Sequence, residues 1–187
     1  MATKDVVYIA LFAALMAVLA VFPPLTIPAL GVPITAQSMG VMLAGGILGA
    51  KRGALSMVLF LVLVAIGLPL LSGGRGGIGV FAGPTAGFLF GWIVAAYVIG
   101  WLTERFWTSL GFVGAFLISV FGGIVVLYAI GIPVVAAIAD IPVWTALTGS
   151  AAFIPGDLVK AGIAAAVIAT VKRSYPLIPS RVRAGRA

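Results

Sequence analysis

Histidine and cysteine are absent from this sequence of 187 residues, and only four residues are acidic. Without cysteine the chain has no disulfides and no thiol chemistry. Without histidine it has no Ser-His or Cys-His nucleophile pair, no H-E-x-x-H zinc motif and no side chain whose ordinary pKa lies near neutrality. The remaining carboxylates are Asp5, Glu104, Asp140 and Asp157. This inventory argues against an enzyme and predicts no metal site and no bound cofactor.

Charge of either sign is scarce as well. Only 8% of the residues are charged and 63% are hydrophobic. In soluble domains about 25% of the residues are charged and roughly 45–50% are apolar. The chain lacks the polar residues that would cover the surface of a water-soluble protein. Its high hydrophobicity also excludes a disordered chain. The composition therefore predicts a single integral-membrane domain over residues 1–187.

Apolar stretches separated by prolines, glycines and charges predict an all-α fold, a compact bundle of six transmembrane helices. The predicted helices are Val6–Phe22, Ala36–Ala50, Ala54–Leu71, Pro84 to about Thr103, Leu110–Ile130, and Pro155 to about Val171. Several are shorter than the roughly 20 residues that cross a bilayer, which favours local thinning or irregular helix ends. A signal peptide is the alternative for the first stretch, although no clear cleavage pattern follows it.

The connections between these helices differ in composition. An uncharged Pro-rich connector, LTIPALGVPIT, follows the first helix, and a Gly-rich outer loop, SGGRGGIGVFAG, precedes the fourth. Lys51-Arg52-Gly53 and Glu104-Arg105 are interpreted as tight turns, and residues 131–142, with two prolines, as a connector. The apolar stretch 143–154 either continues toward the last helix or re-enters the membrane, so five or seven spans stay open.

The basic residues are distributed unequally between the two sides of the predicted bundle. One side carries Arg75 and Lys160, and the side of both termini carries Lys4, Lys51, Arg52, Arg105, Lys172, Arg173, Arg181, Arg183 and Arg186. Cytoplasmic loops are enriched in Lys and Arg. We therefore expect a multi-pass protein of the cell membrane with both termini cytoplasmic. Its basic tail, about 172–187, is expected to meet anionic lipid rather than nucleic acid.

Three charges on the outer side are candidates for a binding site, because ionisable residues at membrane depth are costly and by default mark a site. Asp157 and Lys160 are three residues apart at a helix start and share one face. They form either part of a site or a structural pair at the positive end of the helix dipole. Arg75 adds a second cation, and the set suits a small carboxylate ligand. Asp140 is interpreted as a solvated loop residue.

The glycines around Arg75 do not form a nucleotide-binding loop. The run GGRGG lacks the Lys-Ser/Thr ending of a P-loop, so ATP hydrolysis would have to come from another protein. Gly74 is instead a candidate for close approach of the backbone to a ligand. A plain helix connector is the alternative interpretation of this loop.

The first helix carries small residues spaced four apart, which would let another helix come close within lipid. These are Ala10, Ala13, Ala14 and Ala17. The face either binds a partner protein or packs inside the bundle.

Three stretches resemble the BioY family, the biotin-specific substrate-binding (S) components of energy-coupling-factor (ECF) transporters. They are GVPITAQ at 31–37, GLPLLSGGRGGIGVFAGPTAGFLFGW at 67–92 and FIPGDLVKAG at 153–162. The middle stretch departs from the usual family form, which is close to GPTGG, at Ala86. The resemblance implies a vitamin pocket near the outer surface and assembly with a transmembrane coupling (T) protein and two cytoplasmic ATPases. It also implies that the alanine face contacts the coupling protein and that Asp157 and Lys160 line the pocket.

Biotin combines an apolar ring and chain with a ureido group and a carboxylate, so an apolar pocket with a few polar groups would suit it. We expect Asp157 to accept a ureido N–H, and Lys160, helped by Arg75, to pair with the carboxylate. Gln37 and Thr85 are expected either to add neutral hydrogen bonds or to cap helix termini.

Two other functions remain as alternatives. A membrane-embedded enzyme acting on lipid would need clustered acids, and Asp157 stands apart from the others except Asp140. A self-contained small secondary transporter would favour an inverted repeat, and the two halves share only faint Gly-rich similarities.

Overall fold

The fold is a helical bundle, seen in a computed structural model that describes residues 2–23, 25–27 and 32–178, with side chains for 2–23 and 35–178. Its elements are α1 (Thr3–Leu19), β1 (Leu25–Ile27), β2 (Val32–Ile34), α2 (Gln37–Leu48), α3 (Ala50–Ala65), α4 (Ala86–Arg105), α5 (Phe112–Val120), α6 (Leu127–Ala139), α7 (Val143–Ala151) and α8 (Ile154–Ser174). A π-helical segment, Phe121–Val126, joins α5 to α6 without a break. Over the described ranges there are thus six long helical segments, as predicted, and one short helix.

Three of these segments are long and apolar enough by themselves to cross a membrane: α4, the continuous helix Phe112–Ala139, and α8. The helix α2 is shorter but lies at the centre, where ten of its twelve residues are buried. A Cβ added at Gly45 would lie 2.5 Å from the Ala96 carbonyl oxygen, so only glycine permits this approach of α2 to α4. The main core lies around these two helices.

The turn between α2 and α3 lies at Gly49, which corrects the predicted turn at Lys51-Arg52-Gly53. Those three residues belong to the first turn of α3. Gly49 has φ +84 and ψ −178, a conformation essentially restricted to glycine. The Glu104 carboxylate accepts a hydrogen bond from the Ala50 backbone N–H at 2.8 Å. Glu104 therefore caps α3 from the last turn of α4 instead of marking a turn of its own.

The predicted connector at residues 131–142 is also wrong, because helix continues through Pro133 to Ala139. Neighbouring helices and local π geometry let membrane helices tolerate proline. Asp140 then ends α6 in the left-handed conformation at φ 51, exposed as expected. The nine-residue α7 is about 13 Å long at 1.5 Å per residue. It is too short to cross a bilayer by itself, so it does not add a seventh span.

The two loops at one end of the bundle contain more structure than their sequences suggested. The Pro-rich connector includes an antiparallel pair of strands in which Thr26 pairs with Pro33. The Gly-rich loop is a tight turn bridged between Leu71 and Arg75, followed by the 3-10 turn Ile78–Ala82. These two loops, with the starts of α2, α4 and α8, form what we call the loop end.

The opposite end, called the basic end, collects the predicted cytoplasmic charges that the structure describes. Arg52 contacts Asp5 Oδ1 at 3.3 Å and donates to the Leu177 carbonyl at 2.8 Å. Lys172 donates to the Leu110 carbonyl at 2.8 Å. These contacts join the start of α1, the start of α3, the start of α5 and the end of α8. Arg181, Arg183 and Arg186 lie outside the described residues.

Candidate ligand-binding site

A cleft opens at the loop end of the bundle, with about 580 Å³ of empty space including its mouth. Its lining comes from the starts of α2, α4, α6 and α8 and from both loops, and comprises Thr35, Gln37, Ser38, Leu71, Arg75, Thr85, Phe88, Leu89, Trp92, Leu127, Tyr128, Phe153, Asp157 and Lys160.

The walls of the cleft are largely apolar and aromatic. Trp92 is buried and lies 6.1 Å from the ring of Phe60. Phe88 meets Tyr128 edge to face at 6.0 Å. Aromatic rings in such pairs stabilise each other, so these side chains form well-packed walls.

Asp157 and Lys160 form a salt bridge of 2.8 Å in the first turns of α8. Pro155 lies in the first turn, where its missing N–H costs nothing, and the helix then carries both side chains on one face. Asp157 is only 4% exposed. The Lys160 ammonium also donates to the Thr35 carbonyl at 2.7 Å and to Ser38 Oγ at 3.0 Å. All three N–H donors of the lysine are therefore engaged within the protein.

Ser38 and Tyr128 complete this cluster. Neither residue is among the site residues predicted from the sequence. The Tyr128 hydroxyl donates to Asp157 Oδ2 at 2.5 Å, and Ser38 Oγ donates to Asp157 Oδ1 at 3.3 Å. The only signal in the sequence was weak: Ser38 follows Gln37 directly, and Tyr128 is a polar residue in an apolar helix.

Arg75 lines the same cleft from the Gly-rich loop. Its Nε donates to the Ser72 carbonyl at 3.4 Å, and within the described ranges it forms no ion pair. Partial burial lowers the pKa of its guanidinium below the ordinary value, but arginine remains charged in proteins. The terminal nitrogens of Arg75 thus make no ion pair with the parts of the protein that the structure describes.

Gln37 lines the cleft but is committed to the protein. Its amide nitrogen donates to the carbonyls of Met16 at 3.0 Å and Leu70 at 3.2 Å, and its oxygen accepts the Ser72 N–H at 3.1 Å. The residue is 1% exposed. It joins the last turn of α1 and the Gly-rich loop to the start of α2.

Thr85 and Gly74 differ in their relation to the cleft. Thr85 precedes α4 and lines the cleft, and its side chain makes no capping hydrogen bond. Gly74 is exposed, has φ +70 and donates its N–H to the Leu71 carbonyl at 3.0 Å. It shapes the turn that carries Arg75 and is not among the residues that line the cleft. This position is consistent with the interpretation of the loop as a plain helix connector. Among the residues described, no group of three or more acidic side chains could hold a metal ion.

The predicted alanine face of α1 divides into two parts. Ala10 and Ala14 are exposed, together with Val6, Leu11 and Val18. Ala13 is 3% exposed and packs in the main core, and Ala17 is half-buried against that core. Ala13 therefore takes part in the packing of α1 within the bundle.

Comparison with known sequences connects this cleft to a protein family. The sequence model of the BioY family matches residues 1–177. The biotin transporter BioY of Rhizobium etli is 52% identical over 97% of this chain and its own full length. That of Rhodobacter capsulatus is 46% identical over 92% of this chain and 95% of its own. The probable biotin transporter BioY of Bacillus subtilis is 44% identical over 92% of each.

A solved structure shares the fold. The crystal structure of the S-component for biotin from an ECF-type ABC transporter superposes with a TM-score of 0.89 at 32% identity. The match covers 95% of this chain and 97% of that one. The bundle thus has the S-component fold.

Proposed function

Because the chain belongs to the BioY family, we propose that it binds biotin in the cleft and is the substrate-binding subunit of an ECF-type vitamin transporter. The observation that supports this most is the distribution of charge in the cleft. A guanidinium without an ion pair in the described protein and a buried acid-lysine pair line the same cleft, together with apolar and aromatic side chains. Biotin has groups that match these: a carboxylate, an apolar chain and ring, and a ureido group that donates two N–H bonds.

We assign the carboxylate of biotin to Arg75, with Lys160 in a different role from the one first expected. The Lys160 ammonium donates hydrogen bonds to Thr35, Ser38 and Asp157, which uses all three of its N–H groups. The Arg75 guanidinium has a planar fork of N–H groups that matches a carboxylate. Asp157 remains the acceptor for a ureido N–H, because an ionised carboxylate has about four acceptor sites. Lys160 holds that acid in its buried position through their 2.8 Å salt bridge.

The other predicted residues have supporting roles in this proposal. Thr85 contributes a hydroxyl for a neutral hydrogen bond to the ligand. Gln37 holds the Gly-rich loop in place through Ser72, and Gly74 permits the turn that presents Arg75.

The partners follow from the same family membership. We propose that the subunit assembles with a transmembrane coupling (T) protein and two cytoplasmic ATPases, which hydrolyse the ATP. The exposed part of the alanine face, Ala10 and Ala14 with Ala17 at its edge, is the proposed contact with the coupling protein. We place the protein in the cell membrane, with the basic end cytoplasmic and next to anionic lipid.

Titration calorimetry of the purified protein with biotin, desthiobiotin, lipoate and thiamine tests the ligand. Biotin and desthiobiotin should bind tightly, because both carry the ureido group and the carboxylate. Lipoate has the carboxylate without the ureido group and should bind weakly. Thiamine, a cation without a carboxylate, should not bind. Tight binding of thiamine or lipoate, with no binding of biotin, would contradict the proposal.

A further inference from the structure

The contact between Tyr128 and Asp157 carries an inference that rests on the proposed function and extends it. Asp157 is almost fully buried, and its two oxygens are served by different elements. Oδ1 accepts from Lys160 on the same helix and from Ser38 on α2. Oδ2 accepts from Tyr128 on α6, the single protein donor to that oxygen within the described ranges.

Donors on both oxygens fix the plane of the carboxylate. The terminal torsion of an aspartate is broad and roughly two-fold, so contacts to Oδ1 alone leave the group free to rock. The Tyr128 hydroxyl, at 2.5 Å from Oδ2, removes that freedom. Three of the about four acceptor sites of the carboxylate are then occupied, and one remains on Oδ2.

Tyr128 itself is held firmly. Its ring meets Phe88, another lining residue, edge to face at 6.0 Å, and it stands in the first turn of α6, directly after the π-helical segment. The hydroxyl is therefore placed by packing and by the backbone before any ligand arrives, and such preorganisation saves ordering cost on binding.

We propose that Tyr128 is a positioning residue for biotin: it acts through Asp157, aligning the free acceptor site of Oδ2 with a ureido N–H. The contrasting role is purely structural, in which the hydroxyl only satisfies a buried acceptor. In that case its loss would lower the stability of the fold and leave the affinity unchanged.

A double-mutant cycle separates these roles, with biotin affinity measured by calorimetry for wild type, Tyr128→Phe, Asp157→Ala and the double variant. Tyr128→Phe keeps the ring and removes the hydroxyl. We expect affinity to fall about tenfold, which corresponds to ~1.4 kcal/mol, a usual value for one hydrogen bond. The double variant should bind no more weakly than Asp157→Ala, because the proposed effect of Tyr128 on affinity passes through the acid. Biotin alcohol should lose affinity with Tyr128→Phe to the same extent as biotin.

Tyr97→Phe is the matched control, since this tyrosine is 47% exposed on α4 and its loss should leave affinity unchanged. Thermal unfolding of each variant accompanies the titrations. Wild-type affinity for Tyr128→Phe, or additive losses in the cycle, would overturn the inference while biotin binding by the wild type stood. Failure of the wild type to bind biotin would instead overturn the proposed function.

Discussion

At the scale of single residues, the two cations of the cleft differ in how many of their N–H donors are free to bind a ligand. Lys160 is only 15% exposed in its side chain and is bonded to an acid, a hydroxyl and a carbonyl. Within the described ranges, the Arg75 side chain makes one hydrogen bond, from Nε to the Ser72 carbonyl. Since a ligand can use only donors that the protein does not already use, the two residues should respond differently to changes in the ligand.

Comparing biotin with biotin alcohol, which lacks the carboxylate, distinguishes them. Arg75→Gln should weaken biotin about ten- to hundredfold, the range for hydrogen bonds to a charged group of ~1.5–3 kcal/mol. It should leave biotin alcohol nearly unchanged. Lys160→Ala should weaken both ligands alike and more strongly, because a buried acid without its cation typically costs about 2–5 kcal/mol. Calorimetry on both variants measures this. A loss confined to biotin in Lys160→Ala, with Arg75→Gln unaffected, would restore the lysine as the carboxylate partner.

The sequence predicted part of this cluster, and the limit has a physical cause. Asp157 and Lys160 are three apart on one helix, so helical geometry alone brings them together. Ser38 and Tyr128 reach them across 119 and 29 positions of the chain. Contacts between residues so far apart in the sequence depend on tertiary packing, and local residue spacing does not predict them.

At the scale of elements, the predicted boundaries failed where backbone geometry departs from the ordinary helix. Residues 51–53 look like a turn because charge and glycine coincide there, but the break comes at Gly49, where φ is positive. The π-helical segment gives a second example. One extra residue in a turn moves every later residue by about 100° from its α-helical register. An apolar helical pattern therefore could not predict that Tyr128 faces Asp157.

The helix α1 offers a test in which neighbouring alanines should behave in opposite ways. Ala14→Trp adds a large ring to an exposed face and should block assembly with the coupling protein and abolish uptake. Biotin binding by the isolated subunit should survive. Ala13→Trp should instead overpack the core and lower the thermal unfolding temperature, since such insertions typically cost about 1–3 kcal/mol or more.

Co-purification with the coupling protein, biotin titration and thermal unfolding of both variants check this prediction. Loss of biotin binding in Ala14→Trp would move that alanine into the packing of the subunit. Normal stability together with lost assembly in Ala13→Trp would return it to the partner surface.

At the scale of the whole molecule, the bundle separates two tasks along its length. The loop end carries the cleft and the cations Arg75 and Lys160. The basic end is held together by Arg52, which contacts Asp5, the Leu48 carbonyl and the Leu177 carbonyl. Between them lies the core around α2 and α4. A ligand site at one end and a basic surface at the other suit a protein that collects a molecule on one side of a membrane.

Labelling of single cysteines tests which end of the bundle faces the outside of the cell. Because the chain has no cysteine, single cysteines can report on each end without background. Ile78→Cys, at a position 75% exposed beside the cleft, should react with a membrane-impermeant maleimide on intact cells. Lys51→Cys, exposed at the basic end, should react only after the cells are permeabilised, since basic segments are retained in the cytoplasm. The reverse labelling pattern would place the cleft on the cytoplasmic side, where it could not collect biotin for uptake.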